Sequence, residues 1–221
     1  MDAIWDKWRE LYKEVGIDTG RICKDGIICY EAFCNSKPKI LFVMKDINNR
    51  GVEDHSHGVR DLPEWLKDGP RHQLWHTIAR WSAGIFNEFP PYKTLNKDVV
   101  KGALTKVAAI NLKKACGGAR VDSKVIAAYA HQDRDLLLEQ IQTVKPDLII
   151  ACGVMEHLIW LLDLKVNPED PKDSPVKDTA RGAWVVPFRH PARAAGSKIY
   201  CQLKQAVSTV YKNGILTDTA S

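Results

Sequence analysis

This chain of 221 residues lacks several features, and each absence narrows what it can be. No apolar run approaches the ~18 residues that span a bilayer, so no membrane partner is expected. Met1-Asp2-Ala3-Ile4-Trp5-Asp6 carries neither a basic nor an apolar leader segment, so no secretory signal is expected. The expected compartment is the cytoplasm, or the nucleus of a eukaryotic cell. The six cysteines include no Cys-x-x-Cys pair, and Cys23, Cys29 and Cys34 are not at a zinc spacing. In such a compartment they are expected as free thiols or metal ligands rather than disulfides. No internal repeat, low-complexity segment or domain linker is visible. A single domain over 1–221 is expected: an N-terminal helix and edge strand over 1–37, a core over 38–212 and a fraying tail over 213–221.

What is present is ordinary for a globular protein: 45% hydrophobic and 27% charged residues. The net charge of +5 is compatible with a polyanionic partner and equally with a solvated surface. Oligomeric state is not legible. The organising feature is a set of four apolar runs, each ending in polar residues. They are 39–44, ending at Lys45-Asp46-Ile47-Asn48; 107–110, ending at Asn111; 147–152, ending at Gly153; and 183–188, ending at Arg189-His190-Pro191. Continuous apolar runs indicate strands covered on both faces. Helical stretches separate them, which predicts a three-layer α/β/α fold with a mainly parallel central sheet. Ligands of such sheets bind outside the carboxyl ends of the strands. Asp46, Asn111 and His190 become candidates for one site.

Between the runs, residues 2–15 place Ile4, Trp5, Trp8, Leu11, Tyr12 and Val15 at helical spacing. Residues 26–33 read as a strand at the sheet edge. Residues 45–70 read as a long polar loop. That loop holds His55 and His57, which could bind a metal with His72 and His76, but solvated histidines are the simpler reading. Residues 71–86 read as a core helix, with the alternative that one of its aromatics stacks on a planar ligand. Helices are also expected over 96–104, from Asp122 or Ser123 towards Lys145, after Gly153, and from Ser197. Residues 165–181 read as a loop. Lys113, Lys114, Gly117, Gly118 and Arg120 follow a strand end, where close backbone approach and positive charge suit phosphates.

These strand ends resemble the motifs of the uracil-DNA glycosylase superfamily. Met44-Lys45-Asp46-Ile47-Asn48 stands where the family has G-Q-D-P-Y or G-x-N-P-G. Ile110-Asn111-Leu112-Lys113-Lys114 is similar to T-N-x-x-K-C, and His190-Pro191-Ala192 to H-P-S or H-P-A. The segment from Leu138 to Gly153 is similar to the family's L-x-x-Q-I helix and following strand. The likeness runs over about 38–212. It implies a uracil-DNA glycosylase-like fold and a DNA glycosylase that excises a deaminated base of the uracil or hypoxanthine type. Asp46 would activate water, and His190 would stabilise the leaving base. Asn111, Ile47 and Asn48 would hold the base, and Lys113, Lys114, Arg120, Arg193 and Lys198 the nucleic-acid backbone. The partner implied is DNA, or another nucleic acid. No metal and no cofactor are implied, because Asp133 stands where the iron–sulfur branch has a cysteine. Met44 and Ile47 replace the motif's glycine and proline. These replacements favour an alternative: a non-catalytic nucleic-acid or nucleotide-binding module on the same fold.

The chemistry asked of these residues is specific. Breaking an N-glycosidic bond leaves positive charge on the sugar and negative charge on the base. A carboxylate beside the sugar and an imidazole beside the base answer those two charges. An amide that both donates and accepts reads a pyrimidine edge. The base must first leave the helical stack.

Overall fold

The computed structural model describes residues 2–47, 61–117, 122–194 and 196–212, without the side chains of residues 2, 193 and 212. Within them lie β1 (Gly26–Ile27), β2 (Ile40–Met44), β3 (Val107–Asn111), β4 (Leu148–Cys152), β5 (Val176–Lys177) and β6 (Trp184–Phe188). Together they make one mixed sheet in the order β1-β3-β2-β4-β6-β5. The four apolar runs are its centre, and every pairing among them is parallel. Only the two-residue edges β1 and β5 are antiparallel. Short antiparallel edges leave little unpaired backbone for another chain to extend.

The helices follow from where the apolar residues fall. They are α1 (Asp2–Glu14), α2 (Tyr30–Cys34), α3 (Leu62–Leu66), α4 (Gln73–Phe86), α5 (Lys97–Thr105), α6 (Ser123–Gln132), α7 (Arg134–Val144), α8 (Met155–Leu162) and α9 (Ser197–Lys212). Alternate residues of each strand face opposite layers. Ile40, Phe42, Val107, Ala109, Leu148 and Ile150 pack with α3, α4, α5 and α9. Leu41, Val43, Ala108, Ile110, Ile149 and Ala151 pack with α1, α6, α7 and α8. Every one of those twelve strand side chains is fully buried, each contributing about 1.5–3 kcal/mol of burial if large and branched. The architecture is therefore three-layer α/β/α. No helix among the described residues is long and apolar enough to cross a membrane.

Four local expectations change. Residues 26–33 are a strand only at Gly26–Ile27; the chain then turns into α2, whose one buried residue is Phe33. The segment from 122 to 145 is two helices rather than one. The break falls at Asp133, whose fully buried carboxylate accepts from Tyr12 Oη at 2.6 Å. The polar stretch 45–70 contains α3, with Asp61 capping Glu64 N at 2.9 Å and Pro63 in the first turn. The loop expected at 165–181 contributes β5. Trp75 and Trp81 of α4 are 6% and 1% exposed, so both serve the core.

Candidate functional site

The chain leaves β2 towards β3 on one side, and β4 lies on the other. The connection from β2 to β3 covers one face of the sheet, and the connections from β3 to β4 and from β4 to β6 cover the opposite face. The direction of winding therefore reverses between β2 and β4. The crevice outside the strand ends at such a reversal is the usual ligand position of open α/β sheets. Asp46 follows β2 at this point, Gly153 follows β4, and His190 follows β6.

Asp46 is held by backbone pairing that continues past the strand ends. Leu112 N donates to Met44 O, Lys113 N to Lys45 O and Gly117 N to Ile47 O, at 2.9, 3.0 and 3.0 Å. The Asp46 side chain is 10% exposed, and Lys113 Nζ stands 3.8 Å from its Oδ2. That oxygen is buried and has no hydrogen-bond partner among the described residues. Burial pushes the Asp46 carboxyl above the ordinary carboxylate range, against the opposing pull of Lys113 and Lys45. Burial likewise pulls the Lys113 ammonium down, against Asp46 and together with Arg21. Lys113 spends one donor on Ala115 O. Gly117 completes the wall: a Cβ there would stand 2.4 Å from Asp46 Oδ2 and 3.0 Å from Lys113 Nζ. No side chain fits at position 117 without moving the carboxylate. The result is a poorly solvated carboxylate with one unpartnered oxygen and a raised proton affinity.

Asn111 is placed differently from the expectation. Its backbone N and its Nδ2 both donate to Asp25 Oδ2, at 2.8 and 3.1 Å. The other Asp25 oxygen accepts from Lys114 Nζ at 2.8 Å and from Gln140 Nε2 at 2.9 Å. Gln140 Oε1 in turn accepts from Lys114 Nζ at 2.8 Å. Asn111 is 1% exposed, and its Oδ1 is buried without a partner among the described residues. Its amide is committed on the donor side and open on the acceptor side.

His190 caps the 3-10 turn Pro191–Arg193, its Nδ1 accepting from Ala192 N at 3.3 Å. In the neutral ring this acceptor role puts the proton on Nε2. Gly153, at φ +71°, brings the end of β4 against His190 by donating from its N to Phe188 O at 2.7 Å. The positive φ favours glycine here. β2 and β6 are two strand spacings apart, about 10 Å. Asp46 and His190 therefore follow strands on the same edge of the sheet with β4 between them.

Lys113 and Lys114 are not groove-facing cations: they are 7% and 1% exposed, turned inward to Asp46 and Asp25 respectively. Lys198 is exposed at the start of α9. The Ile47 side chain is half-buried, and its carbonyl is used by Gly117. Asn48, Arg120 and the Arg193 side chain lie outside the described residues, as do His55 and His57. Among the described residues no group of three or more histidine, cysteine, aspartate or glutamate side chains is arranged to hold a metal ion.

Sequence reasoning passed over Asp25 and did not place Gln140 against Asn111's partner, Gly117 against Asp46 or Cys23 against Cys116. Asp25 had one signal, a lone carboxylate directly before an apolar run. Cys23 and Cys116 meet because Arg21–Cys23 runs antiparallel to Lys114–Cys116, with Ile22 opposite Ala115. The Cys23 thiol, which donates to Lys24 O at 3.7 Å, lies beside Cys116. Its proximity, opposed by burial and helped by Lys113 and Arg21, brings the Cys116 thiol down to about 7. In a chain with the exposed Cys34 and Cys201 replaced by Ser, iodoacetamide should label Cys116 with a pH midpoint below that of a free thiol. Cys23→Ser should move the midpoint upward. Peptide mapping across pH 6–9 reads both, and labelling only above the ordinary thiol range would contradict this account of Cys116.

No protein-family model matches this chain, and no curated protein sequence matches it.

Proposed function

We propose that the chain is a DNA glycosylase of the uracil-DNA glycosylase type, hydrolysing the N-glycosidic bond of a deaminated base. The observation that carries the proposal is the Asp46 carboxylate, buried beside Lys113 with one oxygen unpartnered, at the carboxyl edge where the winding of the sheet reverses. The order of the three motif-like segments along that edge supports it. In this proposal Asp46 accepts the proton of the attacking water. His190 donates from Nε2 to the base as it leaves with the bonding electrons. Asn111 Oδ1 accepts the imide N–H of uracil or the lactam N–H of hypoxanthine. Lys198 supplies charge for the backbone.

The second reading, a nucleic-acid or nucleotide-binding module without this chemistry, draws on two observations. Asn111 Nδ2 is taken by Asp25, and the Met44 side chain fills the core where the resembled motif has glycine. Release of free base from uracil, hypoxanthine and xanthine duplexes, run beside a salt-dependent binding titration, separates the two. Base release selects the glycosylase, and salt-dependent binding without release selects the module.

His190 adds a graded test. His190→Ala removes the donor, whereas His190→Gln retains an N–H. Excision should fall by about 10- to 1,000-fold for Ala, within the range for one lost donor or acid, and by less for Gln. Single-turnover rates measure this, and equal, negligible effects would make His190 only a turn cap.

A further inference from the structure

A separate concavity of about 330 Å³ lies between α6 and α8, lined by Ser123, Lys124, His131, Glu156, His157 and Trp160. None of these residues belongs to the Asp46 site. Its wall is aromatic. Trp160 is 39% exposed, while Leu158, Leu161 and Leu162 of the same helix are buried. The His131 ring centroid lies 3.7 Å from that of Trp160, with the planes tilted by 39°. Its floor is polar. Ser123 Oγ donates to Glu156 Oε1 at 2.9 Å and lies 3.3 Å from His157 Nε2. His157 is 9% exposed, and burial lowers its proton affinity, with Lys45 and His131 acting in the same direction and Glu156 against it.

The chemistry of this lining selects its ligand. The His131 imidazole lies on a face of the Trp160 indole, with the Arg134 guanidinium 5.6 Å from the indole centroid, and the exposed parts of the two rings offer a stacking surface to a planar ring. The Glu156 carboxylate, exposed at the rim, repels a phosphate and accepts from N–H groups. The neutral imidazole and the Ser123 hydroxyl each offer a donor or an acceptor, so the floor reads a ring edge. The volume is at the lower end for small-molecule sites, enough for one ring system and a sugar. We infer that this concavity binds a planar, N–H-bearing heteroaromatic base of the purine type, stacked on the His131–Trp160 wall with its N–H edge on Glu156. Ser123 begins α6 and Glu156 lies in the first turn of α8, the helices that follow β3 and β4. The base can come from a free nucleoside or from an unpaired position in a single strand. The site stands whether or not the chain excises bases.

The test titrates the full chain with guanosine, adenosine and purine riboside, which has no N–H on its ring edge. The readouts are calorimetry and the Trp160 indole resonance, assigned with Trp160→Phe. Guanosine and adenosine should bind and shift that resonance. Purine riboside should bind about 10-fold more weakly, the loss of one hydrogen bond to a charged group. Trp160→Ala should weaken guanosine binding by about 5- to 150-fold, the range for one base stack. Glu156→Gln should bring guanosine towards purine riboside. Both positions are surface-exposed, and unchanged circular dichroism confirms their folding. A purine-containing single-stranded octamer, compared with an abasic octamer, identifies the source. If the octamer binds more tightly than guanosine and depends on Trp160, the base comes from a nucleic acid. If guanosine binds and the octamer does not compete, it is a free nucleoside. No shift of Trp160 by any of these probes, or guanosine affinity unchanged in both variants, would overturn the inference.

Discussion

Asp46→Asn is expected to lower single-turnover excision by about 100- to 10,000-fold, the usual contribution of a positioned general base, with duplex affinity unchanged. The amide has nearly the shape of the carboxylate, so Gly117 and Lys113 keep their places, but it cannot take a proton from water. The pH dependence follows from burial. Because Asp46 titrates above the ordinary carboxylate range, the acid limb of the excision profile should lie above pH 4 rather than at it. Stability moves the opposite way. A carboxyl whose folded-state pKa is raised holds its proton when the unfolded chain has lost it. Asp46 therefore costs stability as pH rises from the unfolded to the folded value, and that cost persists at neutral pH. Asp46→Asn should accordingly unfold at a slightly higher temperature than the parent at pH 7. Excision unchanged in this variant would remove Asp46 from the chemistry.

The second large effect concerns the fold. Lys114→Met should destabilise the protein by about 3–5 kcal/mol, because Asp25 is left as a buried, unpaired charge. For a domain of this size that lowers Tm by about 6–20 °C. Lys114 and Asp25 are both fully buried in their side chains, 2.8 Å apart. Lys114 Nζ also lies 4.9 Å from the centroid of the Trp8 ring and 5.7 Å from that of Trp5, so the cation ties α1 to the end of β3. Adding Asp25→Asn to Lys114→Met should recover part of the loss, since no uncompensated charge then remains. A double-mutant cycle by chemical denaturation measures it. A loss below about 1 kcal/mol for Lys114→Met would place the pair among ordinary surface ion pairs.

The parts of the fold that were readable are those set by local pattern. The four unbroken apolar runs pointed to strands covered on both sides, and helical spacing in α1, α4 and α9 marked helices against the sheet. Asp133 shows where that stops. No glycine or proline divides 122–145, and the helix breaks there around a hydrogen bond to Tyr12, 121 residues away. The run from Gly26 to Phe33 has the composition of an edge strand, but pairing ends after Ile27, and one donation from Ile28 N to Val107 O precedes α2. At the candidate site, strand-end position was legible and side-chain direction was not. Asn111, Lys113 and Lys114 read as three polar residues facing a partner. Asp25 and Gln140, 86 and 29 residues from Asn111, draw Asn111 and Lys114 inward, and Asp46 draws Lys113. Distant carboxylates decide the fate of a lysine, and no local spacing encodes them.

The central claim is that this edge of the sheet hydrolyses an N-glycosidic bond, and the most direct measurement is the appearance of free base. Duplexes with a single uracil or hypoxanthine are incubated with excess protein, and the released base and the abasic strand are quantified by mass spectrometry against Asp46→Asn. Equimolar free base and abasic strand from at least one duplex, lost in the variant, is the predicted result. Duplex binding with neither product, in parent and variant alike, would contradict it.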